Sequence, residues 1–179
     1  LNIYSITYYY CYNDTYSCVQ GFKEGDKVSF EYSKCEPIEN ELAAKLEAEF
    51  DSDIDNCTKI EGWLELRLNT ICSWMGIEEI AVTSMGGNPT YMGLYKDGTI
   101  YVDHAVLRTA KDYLEVGLHE LAHHLNEKGG KEFTNEIEYN GKCYRLYHGD
   151  GFCKALITVY DIYQVIDKQV VAICSMLNK

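Results

Sequence analysis

No stretch of this chain approaches the roughly 18–20 consecutive apolar residues of a membrane-spanning helix, although 46% of its 179 residues are hydrophobic. No membrane association is therefore expected. Basic residues are scarce: 16 Lys and Arg stand against 28 Asp and Glu, for a net charge of −12, and no run of Lys or Arg occurs. Binding to DNA or RNA draws most of its affinity from neutralising phosphates on a basic face, so nucleic acid is not an expected partner. Closely spaced cysteine pairs are missing as well. None of the eight cysteines (Cys11, Cys18, Cys35, Cys57, Cys72, Cys143, Cys153, Cys174) has the spacing of a zinc ribbon. Cys72 and Cys174 fall in apolar helical stretches and read as small core residues. Cys11, Cys18 and Cys35 share a β-like segment with room for one bridge, and the usage as a whole fits a reducing, cytoplasmic setting better than an oxidising one. Leu1-Asn2-Ile3-Tyr4 lacks the basic leader of a secretory signal, and a start at Leu rather than Met stays compatible with a processed leader.

The length suits one domain or a domain with a small appendage. Residues 1–36 alternate tyrosine and β-branched residues with polar breaks. They read as a small antiparallel meander with strands at Ile3–Tyr12, Tyr16–Phe22 and Lys27–Tyr32. Pro37 opens a helix with Leu42, Leu46 and Phe50 on one face, and an acidic link follows. Residues 1–58 are thus expected to form a β-rich extension plus a helix, and residues 59–179 the main domain.

Within that domain Lys59–Met75 is an amphipathic helix, with Trp63, Leu64, Leu66, Leu68, Ile71, Cys72 and Met75 on its apolar stripe and Gly76 as its stop. Ile80–Thr83, Tyr91–Tyr95 and Thr99–Val102 read as strands, the last two joined by a Lys96-Asp97-Gly98 hairpin turn. A helix from about Lys111 to Glu127 ends at Gly129-Gly130. A polar segment, 131–142, reads as a loop or short hairpin. A final helix over 151–177 carries Leu156, Val159, Tyr160, Ile162, Val165, Ile166, Val170 and Ile173 mostly inward. The class is α+β, with a small antiparallel or mixed sheet packed on a central and a C-terminal helix.

The central helix contains His119-Glu120-Leu121-Ala122-His123. Histidines four residues apart lie one turn apart on one helix face, so both imidazoles reach a single ion. A glutamate directly after the first histidine projects into the same cleft, where it can take a proton from water. Leu114, Val116, Leu118, Leu121, Ala122 and Leu125 flank the match and make the helix largely apolar. Three histidines in such a run are costly to bury without a metal or other partners.

A catalytic zinc site needs a third protein ligand. His124 points about 100° around the helix from His123 and reads as solvated or at the core edge. His104 precedes the helix and is a weaker candidate. His148 lies 25 positions after His123, far enough for the chain to turn and enter a new helix. Gly149 permits close backbone approach there, and Phe152 can anchor that helix in the core. Glu136 and Glu138 are the alternatives.

His119-Glu120-Leu121-Ala122-His123 followed by His148-Gly149-Asp150-Gly151-Phe152 resembles the SprT-like and related minimal zincin metallopeptidases. The strands around Gly93-Leu94-Tyr95 and Ile100-Tyr101-Val102 look like the pair that precedes the zincin helix. The resemblance spans roughly residues 60–170 and implies a single Zn²⁺ held by His119, His123 and His148, with Glu120 as general base and a protein or peptide substrate. The acidic chain without a ribbon departs from the members that act on DNA–protein crosslinks. Tyr147, beside His148, is a candidate further donor to the developing oxyanion. Thr99–Val102 is expected as the sheet edge on which an extended peptide would add. The rival expectation is a zinc-stabilised protein-binding module that works through its tyrosine-rich N-terminal sheet. A hydrolase for a non-peptide amide would present the same zinc and base.

Overall fold

The computed structural model describes residues 60–86, 92–133, 136–139, 142–145 and 148–177, together with Glu41 and Ala44, both helical and exposed. The expected N-terminal meander, the acidic link and Tyr147 lie outside the described residues. The elements run α1 (Ile60–Met75), β1 (Ala81–Met85), β2 (Gly93–Lys96), β3 (Thr99–Asp103), α2 (Ala110–Lys128), β4 (Glu136–Tyr139), β5 (Lys142–Arg145) and α3 (Asp150–Leu177). This is an α+β arrangement with a small mixed sheet.

The sheet order is β1-β3-β2, with β1 parallel and β2 antiparallel to β3. The Asp97-Gly98 turn joins β2 to β3 with both residues at positive φ, 50° and 77°, the geometry that twists a two-residue hairpin correctly. β3 is therefore the central strand. This corrects the expectation that Thr99–Val102 forms the edge: its two sides are already paired, by β1 and by β2. The strand that comes up against Glu120 is β2. One face of the sheet carries buried Val82, Gly93, Ile100 and Val102, while Ala81, Thr83, Leu94 and Lys96 are exposed on the other. That alternation is what a sheet covered on one face produces.

α2 runs through the middle of the fold, and its buried residues point in every direction around the helix. A helix buried all round needs neighbours on each side. α1 is one of them. A Cβ on Gly117 would lie 2.8 Å from Leu64 Cδ1 and 3.2 Å from Leu68 Cδ1, so this glycine sets the close crossing of α1 and α2. Thr109 caps the start of α2 in a reciprocal capping box, its side chain accepting from Asp112 N while the Asp112 side chain accepts from Thr109 N at 2.8 Å. At the other end Gly129 N donates to Leu125 O at 2.7 Å. β4 and β5 then pair antiparallel, with Tyr139 opposite Lys142, as the short-hairpin reading of that segment expects.

α3 packs on α2 through Phe152, Ala155, Leu156, Val159, Tyr160 and Tyr163, a stripe with the spacing of one helix face. Two expected inward residues face out instead: Val165 on α3 and Leu66 on α1. Asn69 ties α1 to the sheet, since its side chain donates to Ile80 O at 2.9 Å and accepts from Ile80 N at 2.8 Å. Cys72 is a buried free thiol, and burial pushes its pKa up to about 11. Cys153 is disulfide-bonded. No helix among the described residues is long and apolar enough to cross a membrane.

Candidate metal centre

His119 and His123 stand one turn apart on α2, and His148 closes on them from the turn that opens α3. His148 Nε2 lies 3.1 Å from His123 Nε2 and 3.4 Å from His119 Nε2. All three ligand atoms fall within 4.8 Å of one another. A tetrahedral ion with bonds of about 2.0–2.1 Å to nitrogen separates its ligands by about 3.3–3.4 Å. The two spacings from His148 lie close to that edge length. A hydrogen bond between two rings satisfies only one pair, since each neutral imidazole has one N–H to give. A cation at the point of convergence satisfies all three lone pairs at once, so the donor set and its geometry fit a metal.

Phe152 holds the rings in place. Its centroid lies 4.4 Å from that of His123, 4.6 Å from that of His148 and 5.1 Å from that of His119. Phe152 itself is fully buried. One aromatic side chain, four residues into the turn that starts at His148, thus packs against every imidazole of the triad. Burial and the two neighbouring imidazoles hold the pKa of His123 well below its ordinary 6.5. The ring is neutral at physiological pH, which is the form that ligates a metal.

Glu120 lies between the two α2 ligands in sequence and is 5% exposed. Its carboxylate reaches the backbone of β2: a Cβ built on Gly93 would lie 3.0 Å from Glu120 Oε1 and 2.3 Å from Val116 Cγ1. Only a residue without a side chain lets the strand come so near the helix.

The remaining histidines are committed elsewhere. His124 is fully buried rather than solvated or at the core edge. Its Nε2 is 2.9 Å from Glu78 O and its Nδ1 is 3.0 Å from the Tyr95 hydroxyl. His104 bridges Glu61 Oε1 at 2.7 Å through Nε2 and the Tyr113 hydroxyl at 2.6 Å through Nδ1, so it fastens the β3–α2 turn to α1 and offers the metal nothing. Burial alone would raise the Glu61 carboxyl, but hydrogen bonds from its backbone and from His104, with the charge of that imidazole, outweigh it and hold the pKa below the ordinary value.

Of the residues expected in the site, the structure brings His119, His123 and His148 together with Glu120 beside them on α2. Two residues that shape the site were not singled out for it from sequence: Gly93, which admits Glu120, and Tyr95, which holds His124. A glycine inside a strand pattern is itself a signal of close backbone approach, and it points at Gly93. Comparison with family models, with curated proteins and with solved structures finds no match for this chain.

Proposed function

We propose that this protein is a zinc-dependent peptide hydrolase of the minimal zincin kind. The observation that carries the reading is the convergence of three imidazole nitrogens within 4.8 Å of one another beside a buried glutamate, Glu120, that follows His119 on α2. A purely structural site needs no base, so Glu120 favours catalysis over a zinc-stabilised binding module. His119, His123 and His148 would hold the ion as neutral ligands. When bound, zinc supplies Lewis acidity at that point, lowering the pKa of a water there to about 7 and polarising an amide carbonyl.

Glu120 accepts the proton of the attacking water and passes it to the leaving amine, the one carboxylate serving first as base and then as acid. Its low exposure keeps competing water away and strengthens its electrostatic hold on that proton. β2 is the strand nearest the base, and an extended peptide that pairs with its outer edge would bring a scissile carbonyl over the metal centre. Leu94 and Lys96, which face away from α2, flank that edge.

The test uses zinc-loaded protein, casein unfolded in advance as substrate, and Glu120→Gln as the control. One zinc per chain in both proteins, with cleavage lost by about 10²–10⁴-fold only in the variant, is expected. Zinc bound at one equivalent with no cleavage of casein or of a mixed peptide library by the wild type would overturn the hydrolase and favour the binding module.

A further inference from the structure

Val116, Glu120 and His124 are spaced by four residues and form one stripe along α2, next to the stripe that carries His119 and His123. β2 lies along this stripe. Gly93 meets Val116 and Glu120, and Tyr95, two residues on and on the same face of the strand, meets His124. The two repeats match: two strand residues advance about 6.6 Å and four helix residues about 6 Å. Strand and helix therefore touch at consecutive rungs, the base at one rung and the tyrosine–histidine pair at the next.

We propose that Tyr95 and His124 pin the register of β2 against α2, and so act as positioning residues that set the height of the strand edge above Glu120. This rests on the hydrolase reading given above. Glu78 O can only accept, so His124 Nε2 carries the proton and donates to it. Nδ1 meets the Tyr95 hydroxyl in a second hydrogen bond of 3.0 Å. The same hydroxyl oxygen accepts from Gly98 N at 3.3 Å, which ties in the hairpin turn between β2 and β3. One buried imidazole thus fixes the strand, its turn and the segment before β1 to the metal-bearing helix. Burial, with the charge of the Glu127 carboxylate and its hydrogen bond to the hydroxyl, pushes the Tyr95 phenol up to about 12, so the hydroxyl keeps its proton throughout the physiological range. Neither residue reaches the metal, whose ligands come from α2 and the start of α3.

The experiment compares wild type with Tyr95→Phe, which keeps the ring and deletes only the hydroxyl. Loss of one hydrogen bond at a shifted strand should lower kcat on unfolded casein by about tenfold. KM should stay within about twofold, because peptide still pairs with the strand while its carbonyl sits wrongly over the base. The d–d spectrum of the cobalt-substituted protein should not change. Amide exchange at Gly98, which loses its acceptor, should accelerate. His124→Asn, whose side-chain amide can hydrogen-bond the Tyr95 hydroxyl in place of Nδ1, should retain activity that His124→Leu loses. Tyr95→Phe with unchanged kcat and unchanged Gly98 exchange would overturn the proposal. An altered cobalt spectrum would overturn it too, since the hydroxyl would then shape the metal centre and not the strand. A wild type that binds zinc and cleaves nothing overturns the hydrolase reading instead, and Gly98 exchange in His124→Leu, which keeps the Tyr95 hydroxyl, still decides whether the pin exists: faster exchange supports it and unchanged exchange overturns it.

Discussion

Phe152 packs against His123 at 34° between ring planes and meets His148 edge-on at 88°, so one phenylalanine braces candidate ligands from α2 and from the turn before α3. It does so from a fully buried position at the junction of α2 and α3. The imidazoles need that brace because the rings gain little from one another before a metal arrives.

Phe152→Leu keeps the site apolar but removes the flat surface. Zinc affinity should fall by about 10-fold or more, as for other groups that orient metal ligands. Competition with a chromophoric chelator measures it. Phe152→Ala should also cost about 3–5 kcal/mol of stability in denaturant unfolding of the metal-free protein. A Phe152→Leu protein with wild-type affinity would show that the ligands are oriented without it.

His148→Ala removes the one ligand outside α2. The remaining pair is a bidentate site, so retention of zinc should drop by more than about 100-fold. Glu136→Ala, on β4, should leave affinity within about twofold. Equilibrium dialysis against zinc separates the two variants. A loss on Glu136→Ala with retention on His148→Ala would assign the third ligand to the carboxylate.

Gly93→Ala should move β2 off the helix, because the new methyl would overlap Val116 Cγ1 at 2.3 Å and crowd Glu120 Oε1 at 3.0 Å. Overpacking of this kind costs about 1–3 kcal/mol. Val116→Ala in the same chain removes the nearer clash and should recover part of that stability, which a double-mutant cycle in denaturant reads as a coupling of at least about 0.5 kcal/mol. The coupled variant should still be slower than wild type on casein, since the contact with Glu120 remains. Strict additivity of the two changes would show that strand and helix do not meet where the structure places them.

The helix that carries His119, Glu120 and His123 was legible because its signals are local. A four-residue spacing of histidines and a double-glycine stop both act within a few turns of one another. The Asp97-Gly98 turn was legible for the same reason. The place of β3 was not, since β1 joins it in parallel through a connection that no short-range pattern encodes. His124 was misread because its partners, Tyr95 and Glu78, lie 29 and 46 positions away. A histidine with two such partners reads from sequence like one with none. Leu66 and Val165 look like stripe residues in their windows, and only the packing of neighbouring helices decides that they face out. For the third ligand, spacing alone left His148 beside two glutamates, and the nitrogen-to-nitrogen distances are what favour the histidine.

Acid should weaken the metal-free protein through His123. Burial and the two neighbouring imidazoles depress its pKa in the folded chain below the ordinary 6.5. Between those two values the unfolded chain binds a proton that the folded chain refuses, so stability falls as the pH falls. The contribution is fully present above about pH 6.5 and is lost progressively as the pH drops toward the folded value. Urea midpoints of the metal-free protein should therefore decline from pH 7 toward pH 5. His123→Gln, which cannot titrate, should flatten that decline. Saturating zinc should raise the midpoint at pH 7, because a ligand that binds only the folded state adds its binding free energy to stability. The zinc-dependent increment should shrink as protons compete for the three nitrogens. A decline of the same slope in His123→Gln as in wild type would place the acid sensitivity elsewhere and would show that the ring does not meet its neighbours as a buried neutral group.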